Sequence, residues 1–173
     1  MTDPTLELLL SPGTMVEAEY QLLSRGVESL PLLESLLKGE AKNRFGVPYR
    51  QLGLPLRCAL EVVVRLGPIA KPLEVYLREE LRHGNHTAAM ALRSLGTLEQ
   101  ESIIQLAISL DGGLDLAMES ATALLICGEA GHPAVLEVVS RSKAAASVLE
   151  RAVNHERRRR STGSPSSRHP RGR

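Results

Sequence analysis

Arg57-Cys58-Ala59-Leu60-Glu61-Val62-Val63-Val64-Arg65-Leu66-Gly67-Pro68-Ile69-Ala70-Lys71-Pro72-Leu73-Glu74-Val75-Tyr76-Leu77 decides the fold. Its aliphatic residues recur at three- and four-residue spacing, which lines one face of a helix. The first run closes at Gly67, and Pro72 follows five residues later. Glycine supplies the left-handed residue that ends a helix, and proline is tolerated in the first turn of the next. The stretch therefore predicts a helix, a glycine turn and a second helix. The same order recurs around Gly26, Gly96 and Gly128. Five residues after the glycine stand Pro31, Pro72, Glu101 and Pro133 in turn. Eight residues before it the side chain is small: Ala18, Ala59, Ala88 and Ser120. Four before it is aliphatic (Leu22, Val63, Leu92, Leu124), as is ten after it (Leu36, Leu77, Leu106, Val138). Small residues let neighbouring helices approach, and one such unit cannot bury its apolar face alone, so copies must stack.

Working outward, the spacing predicts helices over 3–10, 14–25, 29–38, 54–66, 70–83, 86–95, 99–110, 115–127, 132–140 and 143–155. Thr14 and Glu17 have capping-box spacing at the start of the second. The anchors lie 41, 29 and 32 residues apart, so the first unit carries an extra spacer, residues 39–55. Gly112-Gly113 marks the turn between the third and fourth units.

The quoted stretch, together with Gly128-Glu129-Ala130-Gly131-His132-Pro133-Ala134-Val135-Leu136-Glu137-Val138-Val139, resembles the HEAT-like, armadillo-type family of α-helical repeats. The resemblance spans roughly residues 14–153. It implies an all-α fold, a short right-handed α-solenoid of about four HEAT-like helical hairpins. The expected division is a repeat domain over residues 1–154 and a disordered basic tail over 155–173.

Composition narrows the function. Of 173 residues, only Phe45, Tyr20, Tyr49 and Tyr76 are aromatic. That disfavours an all-β fold and an aromatic platform for stacking bases. The formal net charge of +1 conceals a split. Residues 155–173 hold seven arginines and one glutamate, a net +6, which leaves 14 basic and 19 acidic residues, a net −5, in residues 1–154. Cys58 and Cys127 sit in apolar helical patterns and read as small core residues of a reducing compartment. Asp3 stands where a secretory signal would be positive, and every apolar run stops well short of the ~18 residues that cross a membrane. The expectation is a cytoplasmic protein without membrane contact.

No glycine-rich phosphate loop, nucleophile elbow or His-Glu-x-x-His motif occurs, so the chain reads as a non-enzyme without cofactor. His83-Gly84-Asn85-His86 offers two metal ligands where zinc needs three or four, and reads instead as a helix end followed by an Asn85 cap. In a HEAT-like solenoid, the helix before each anchor lines the concave side. That places Val16, Tyr20 and Ser24, then Arg57, Glu61 and Arg65, then His86, Met90 and Ser94, then Met118, Thr122 and Ile126 on one surface, with Arg93 beside it. Tyr, Arg and Met are enriched where proteins meet. The spacer adds Phe45 and Tyr49, either as a binding loop or as a plug of the first stack. Arg157, Arg158, Arg159 and Arg160 begin the tail and suit phosphate contacts.

The leading expectation is a protein-binding module, an adaptor or inhibitor, with the bacterial immunity protein as the subclass that the resemblance suggests. Its partner would be another protein, bound by the concave surface and the spacer. The alternative is nucleic-acid backbone binding through the arginine-rich tail and a concave Arg57–Arg65–Arg93 stripe. A third class, repeat enzymes such as bilin lyases, shares the architecture.

Overall fold

Asp3 begins the first helix: its carboxylate accepts a 2.8 Å hydrogen bond from the Thr5 amide. The computed structural model describes residues 3–162. They form ten α-helices: α1 (Pro4–Leu8), α2 (Met15–Arg25), α3 (Leu30–Lys38), α4 (Gly53–Leu66), α5 (Glu74–Arg82), α6 (His86–Ser94), α7 (Gln100–Ser109), α8 (Leu114–Ile126), α9 (Pro133–Arg141) and α10 (Lys143–Thr162). Short 3-10 turns cover Gly26–Ser29, Tyr49–Gln51 and Gly67–Leu73. The protein is all-helical; the one β-type pairing among the described residues is an isolated antiparallel bridge between Lys42 and Pro48. No described helix is long and apolar enough to cross a membrane.

The four anchor glycines close α2, α4, α6 and α8 with positive φ: 56° at Gly26, 62° at Gly67, 80° at Gly96 and 79° at Gly128. At Gly26 and Gly67 it is combined with ψ of −123° and −135°, outside the left-handed helical region; side-chain-bearing residues rarely adopt positive φ, which is why glycine stands at each turn. The columns around the anchors are buried as their chemistry requires. Ala18, Ala59, Ala88 and Ser120 are fully buried, as are Leu22, Val63, Leu92 and Leu124. Leu36, Leu77 and Leu106 are buried too, while Val138 is half-buried at the margin of the core.

Packing follows the chain. α1 lies on α2, α2 on α4, α4 on α6, α6 on α8 and α8 on α10; alongside, α5 packs on α7 and α7 on α9, with α3 against α4 and α5. Leu, Val, Ile and Ala fill the core, and Tyr49 is its one fully buried aromatic. Two buried carboxylates tie elements together. Glu74 accepts a 2.7 Å hydrogen bond from the Glu99 amide at the start of α7 and pairs with Lys71. Glu80 pairs with Arg50 of the spacer at 2.7 Å.

Three details depart from expectation. α5 starts at Glu74 rather than near residue 70, because Pro68 and Pro72 keep the preceding turn in 3-10 form: without an N–H, Pro72 cannot make the α-type bond back to residue 68. Thr14 does begin α2 but makes no side-chain cap; its hydroxyl donates to the Leu8 carbonyl at 2.7 Å, pinning α1 to α2, and Glu17 accepts from Gln21 instead. The expected tail is helical over residues 155–162, where it continues α10, and residues 163–173 lie outside the described residues. Arginine is a good helix former, and cations favour a helix C-terminus. Glu156 adds an ion pair to Arg159 at 3.3 Å.

Charge is distributed along this order. Residues 3–40 hold seven acidic and two basic side chains, residues 41–140 eleven and nine, and residues 141–162 two and seven.

Candidate functional site

Five of the residues singled out in sequence come together. Arg57, Glu61 and Arg65 from α4, and His86 and Met90 from α6, line one groove with Val64 and Thr87. The groove is open to solvent and holds about 490 Å³. Its position follows from local folding: residues four apart on α4 project on one side, while the opposite side, with Ala59, Val62, Val63 and Leu66, is buried. Asn85 aims α6 into place, its side chain accepting from the Thr87 amide at 3.1 Å, as a helix cap does.

The groove is electrically compensated. Arg57 pairs with Glu61 at 3.2 Å, and Arg65 approaches Glu19 of α2 at 3.9 Å. Arg93, expected beside this surface, has its side chain three-quarters buried and paired with Glu119 of α8 at 3.2 Å, tying α6 to α8. Tyr20 and Val16 stand on the solvent side of α2, with Tyr20 73% exposed. Met118 lies on α8 in a second cleft, shared with Arg151, Asn154, His155 and Arg158 of α10. A third cleft between the same two helices is lined by Leu125 and Ile126 from α8 and Val153, Glu156, Arg157 and Arg160 from α10.

The spacer separates its two aromatics. Tyr49 is fully buried and its hydroxyl donates to Glu7 of α1 at 2.7 Å, so it plugs the first stack. Phe45 is 74% exposed at the tip of a tight loop, with the Arg44 guanidinium 4.8 Å from its ring centre. The tip is ordered by Asn43, whose side chain accepts from the Phe45 and Val47 amides at 2.9 and 3.0 Å. The side-chain contacts Tyr49–Glu7 and Arg50–Glu80 tie the spacer to α1 and α5.

No family model matches this chain, and no curated protein or solved structure is significantly similar to it.

Burial, with Glu19 beside it, pushes the Cys58 thiol up to about 11, and burial raises Cys127 as well, so neither is primed as a nucleophile. His83 and His86 face different grooves, the first beside Arg50, Glu79 and Glu80 and the second beside Arg57 and Met90. Among the described residues, no group of three or more His, Cys, Asp and Glu is placed to hold a metal ion.

Leu125, Arg151, Val153 and Glu156 line the α8–α10 clefts without having stood out in sequence, and Glu156 falls in the stretch from 155 on that reads as unfolded. A signal was there: neither glycine nor proline interrupts the chain between Pro133 and Gly163, and the buried stripe Ala145, Val148 and Ala152 points the helix onward.

Proposed function

We propose that the chain is a short α-solenoid of helical hairpins that binds another protein along the face formed by α2, α4, α6, α8 and α10. The stacking order of the helices and the burial of the same column in each unit support the solenoid. The observation that carries the binding reading is the α4–α6 groove. It draws arginines, a glutamate, a histidine and a methionine from two helices into one open depression. Exposed Tyr20 and half-buried Met118 lie on the helices flanking α4 and α6. Such a mixture of flexible apolar and charged groups is the composition of protein interfaces. The mode of action is steric: an adaptor or an inhibitor, an immunity protein that covers a toxin being one form, holds its partner without chemistry of its own.

The test is affinity capture with the full chain, followed by mass spectrometry and a binding titration with the purified partner. Arg57→Ala/Arg65→Ala/Met90→Ala should weaken that partner's binding by about tenfold or more while leaving the melting temperature within a few degrees. Unchanged affinity, or no protein recovered at all, would overturn the reading.

One observation favours a second reading, nucleic-acid backbone binding: Arg157, Arg158, Arg159 and Arg160 sit on an ordered helix. Against it, Arg57, Arg65 and Arg93 each stand beside a carboxylate, so the expected stripe of positive charge is neutralised.

A further inference from the structure

The cleft between the end of α8 and the last turns of α10 sets an aliphatic floor beside a cationic rim. Its floor is aliphatic, made by Leu125, Ile126 and Val153, and Ile126 is 47% exposed there. Its rim is cationic, made by Arg157 and Arg160, both exposed, with Glu156 alone of opposite sign. Residues 150–160 hold five arginines and two glutamates. This local excess of positive charge lies at the far end of a chain whose residues 1–154 are net −5.

We propose that this cleft docks an acidic, aliphatic-bearing segment of a partner protein. An aliphatic side chain would cover Leu125, Ile126 and Val153, and flanking carboxylates would meet the guanidinium forks of Arg157 and Arg160. The cleft's volume, about 190 Å³, suits side chains rather than a small molecule, whose sites run to roughly 300–1,000 Å³. Charge complementarity would also admit a nucleic acid or an anionic membrane, but the residues present favour neither. No aromatic lines the cleft for a base to stack upon. The apolar stripe of α10, Ala145, Val148 and Ala152, is buried, so the helix does not offer a continuous apolar face to lay on a bilayer. This inference rests on the protein-binding reading and names one class of segment that the partner would offer.

The experiment uses the full chain and fluorescence anisotropy, with a labelled peptide built of Glu and Leu as the probe. A Gln/Leu peptide, labelled oligothymidine and vesicles of anionic lipid serve as alternatives. The Glu/Leu peptide should bind, weaken with added salt, and lose about tenfold in affinity with Arg157→Gln/Arg160→Gln. Arg157→Lys/Arg160→Lys should recover part of the loss, and helical content by circular dichroism should match in all three proteins. Ile126→Ser should weaken binding without changing its salt dependence. No binding of the Glu/Leu peptide, equal binding of the Gln/Leu peptide, indifference to the arginine changes, or stronger binding of oligothymidine or vesicles would each overturn the proposal. The groove variant Arg57→Ala/Arg65→Ala/Met90→Ala separates the two readings. If it loses the captured partner while the peptide never binds, the protein-binding function stands and this cleft is not its acidic-segment site.

Discussion

Ser120 occupies the position where the other three units carry Ala18, Ala59 and Ala88. All four are fully buried, but the Ser120 hydroxyl has no hydrogen-bond partner. Thr122, two residues on, satisfies its own hydroxyl by donating to the Met118 carbonyl at 2.8 Å. A buried unmade hydrogen bond costs about 1–3 kcal/mol, so Ser120→Ala should raise stability by about 1 kcal/mol. A urea melt would read this as a higher midpoint at unchanged slope, and a lower midpoint would mean that the hydroxyl is satisfied after all. Tyr49 gives the residue scale a dependence on pH. Burial, and then the hydrogen bond to Glu7, hold its phenol above the ordinary tyrosine range. The folded state therefore keeps this proton where the unfolded chain, titrating near ~10, gives it up. The associated stabilisation is complete below the unfolded value and is lost as pH rises through the folded one. Between about pH 8 and about pH 11, the urea midpoint of the natural protein should fall further than that of Tyr49→Phe. Equal falls would refute the assignment.

Among the elements, α10 departs most from expectation, and it is also the easiest to test. A chain ending at residue 162 keeps the whole helix, whereas one ending at residue 154 loses its last two turns and the rim of the α8–α10 cleft. The shorter chain should show less helical ellipticity and melt about 2–4 °C lower, because the cations at the helix end and the Glu156 ion pair go together. Identical ellipticity per molecule would show that those turns contribute no helix in solution. The reason for the missed boundary is physical. Periodic apolar residues reveal a helix only while it has a core to face, and beyond Val153 the polar run Arg157 to Arg160 carries no such period. Where helices bury a stripe, spacing and glycine position were sufficient: the ten expected helices are the ten observed. Spacing also assembled the α4–α6 groove, since Arg57, Glu61 and Arg65 follow from a four-residue step on one helix. It had no access to contacts between residues distant in sequence. Arg93 looked like a surface residue until Glu119 stood opposite it, and Glu74 gave no hint of capping a helix that starts 25 residues later. The same limit applied to Phe45 and Tyr49, four residues apart, of which one is buried and the other exposed.

At the scale of the whole molecule, the sequential packing of α1 on α2 and onward to α10 keeps the acidic start apart from the basic end. The near-zero total charge thus describes no part of the surface. Residues 3–40 carry an excess of five negative charges and residues 141–162 an equal positive excess, with the mildly acidic middle helices between them. A body charged in this way has a permanent dipole moment, and the field of an approaching charged partner exerts a torque on it before any contact is made. An acidic partner would turn the molecule α10-first and meet the arginine-rimmed cleft ahead of the compensated groove on α4 and α6. The order of encounter is then set during diffusion, over roughly the 8–10 Å that physiological salt leaves unscreened. The last two turns of α10, residues 155–162, which composition assigns to a disordered tail, would in that case be the leading edge of the protein.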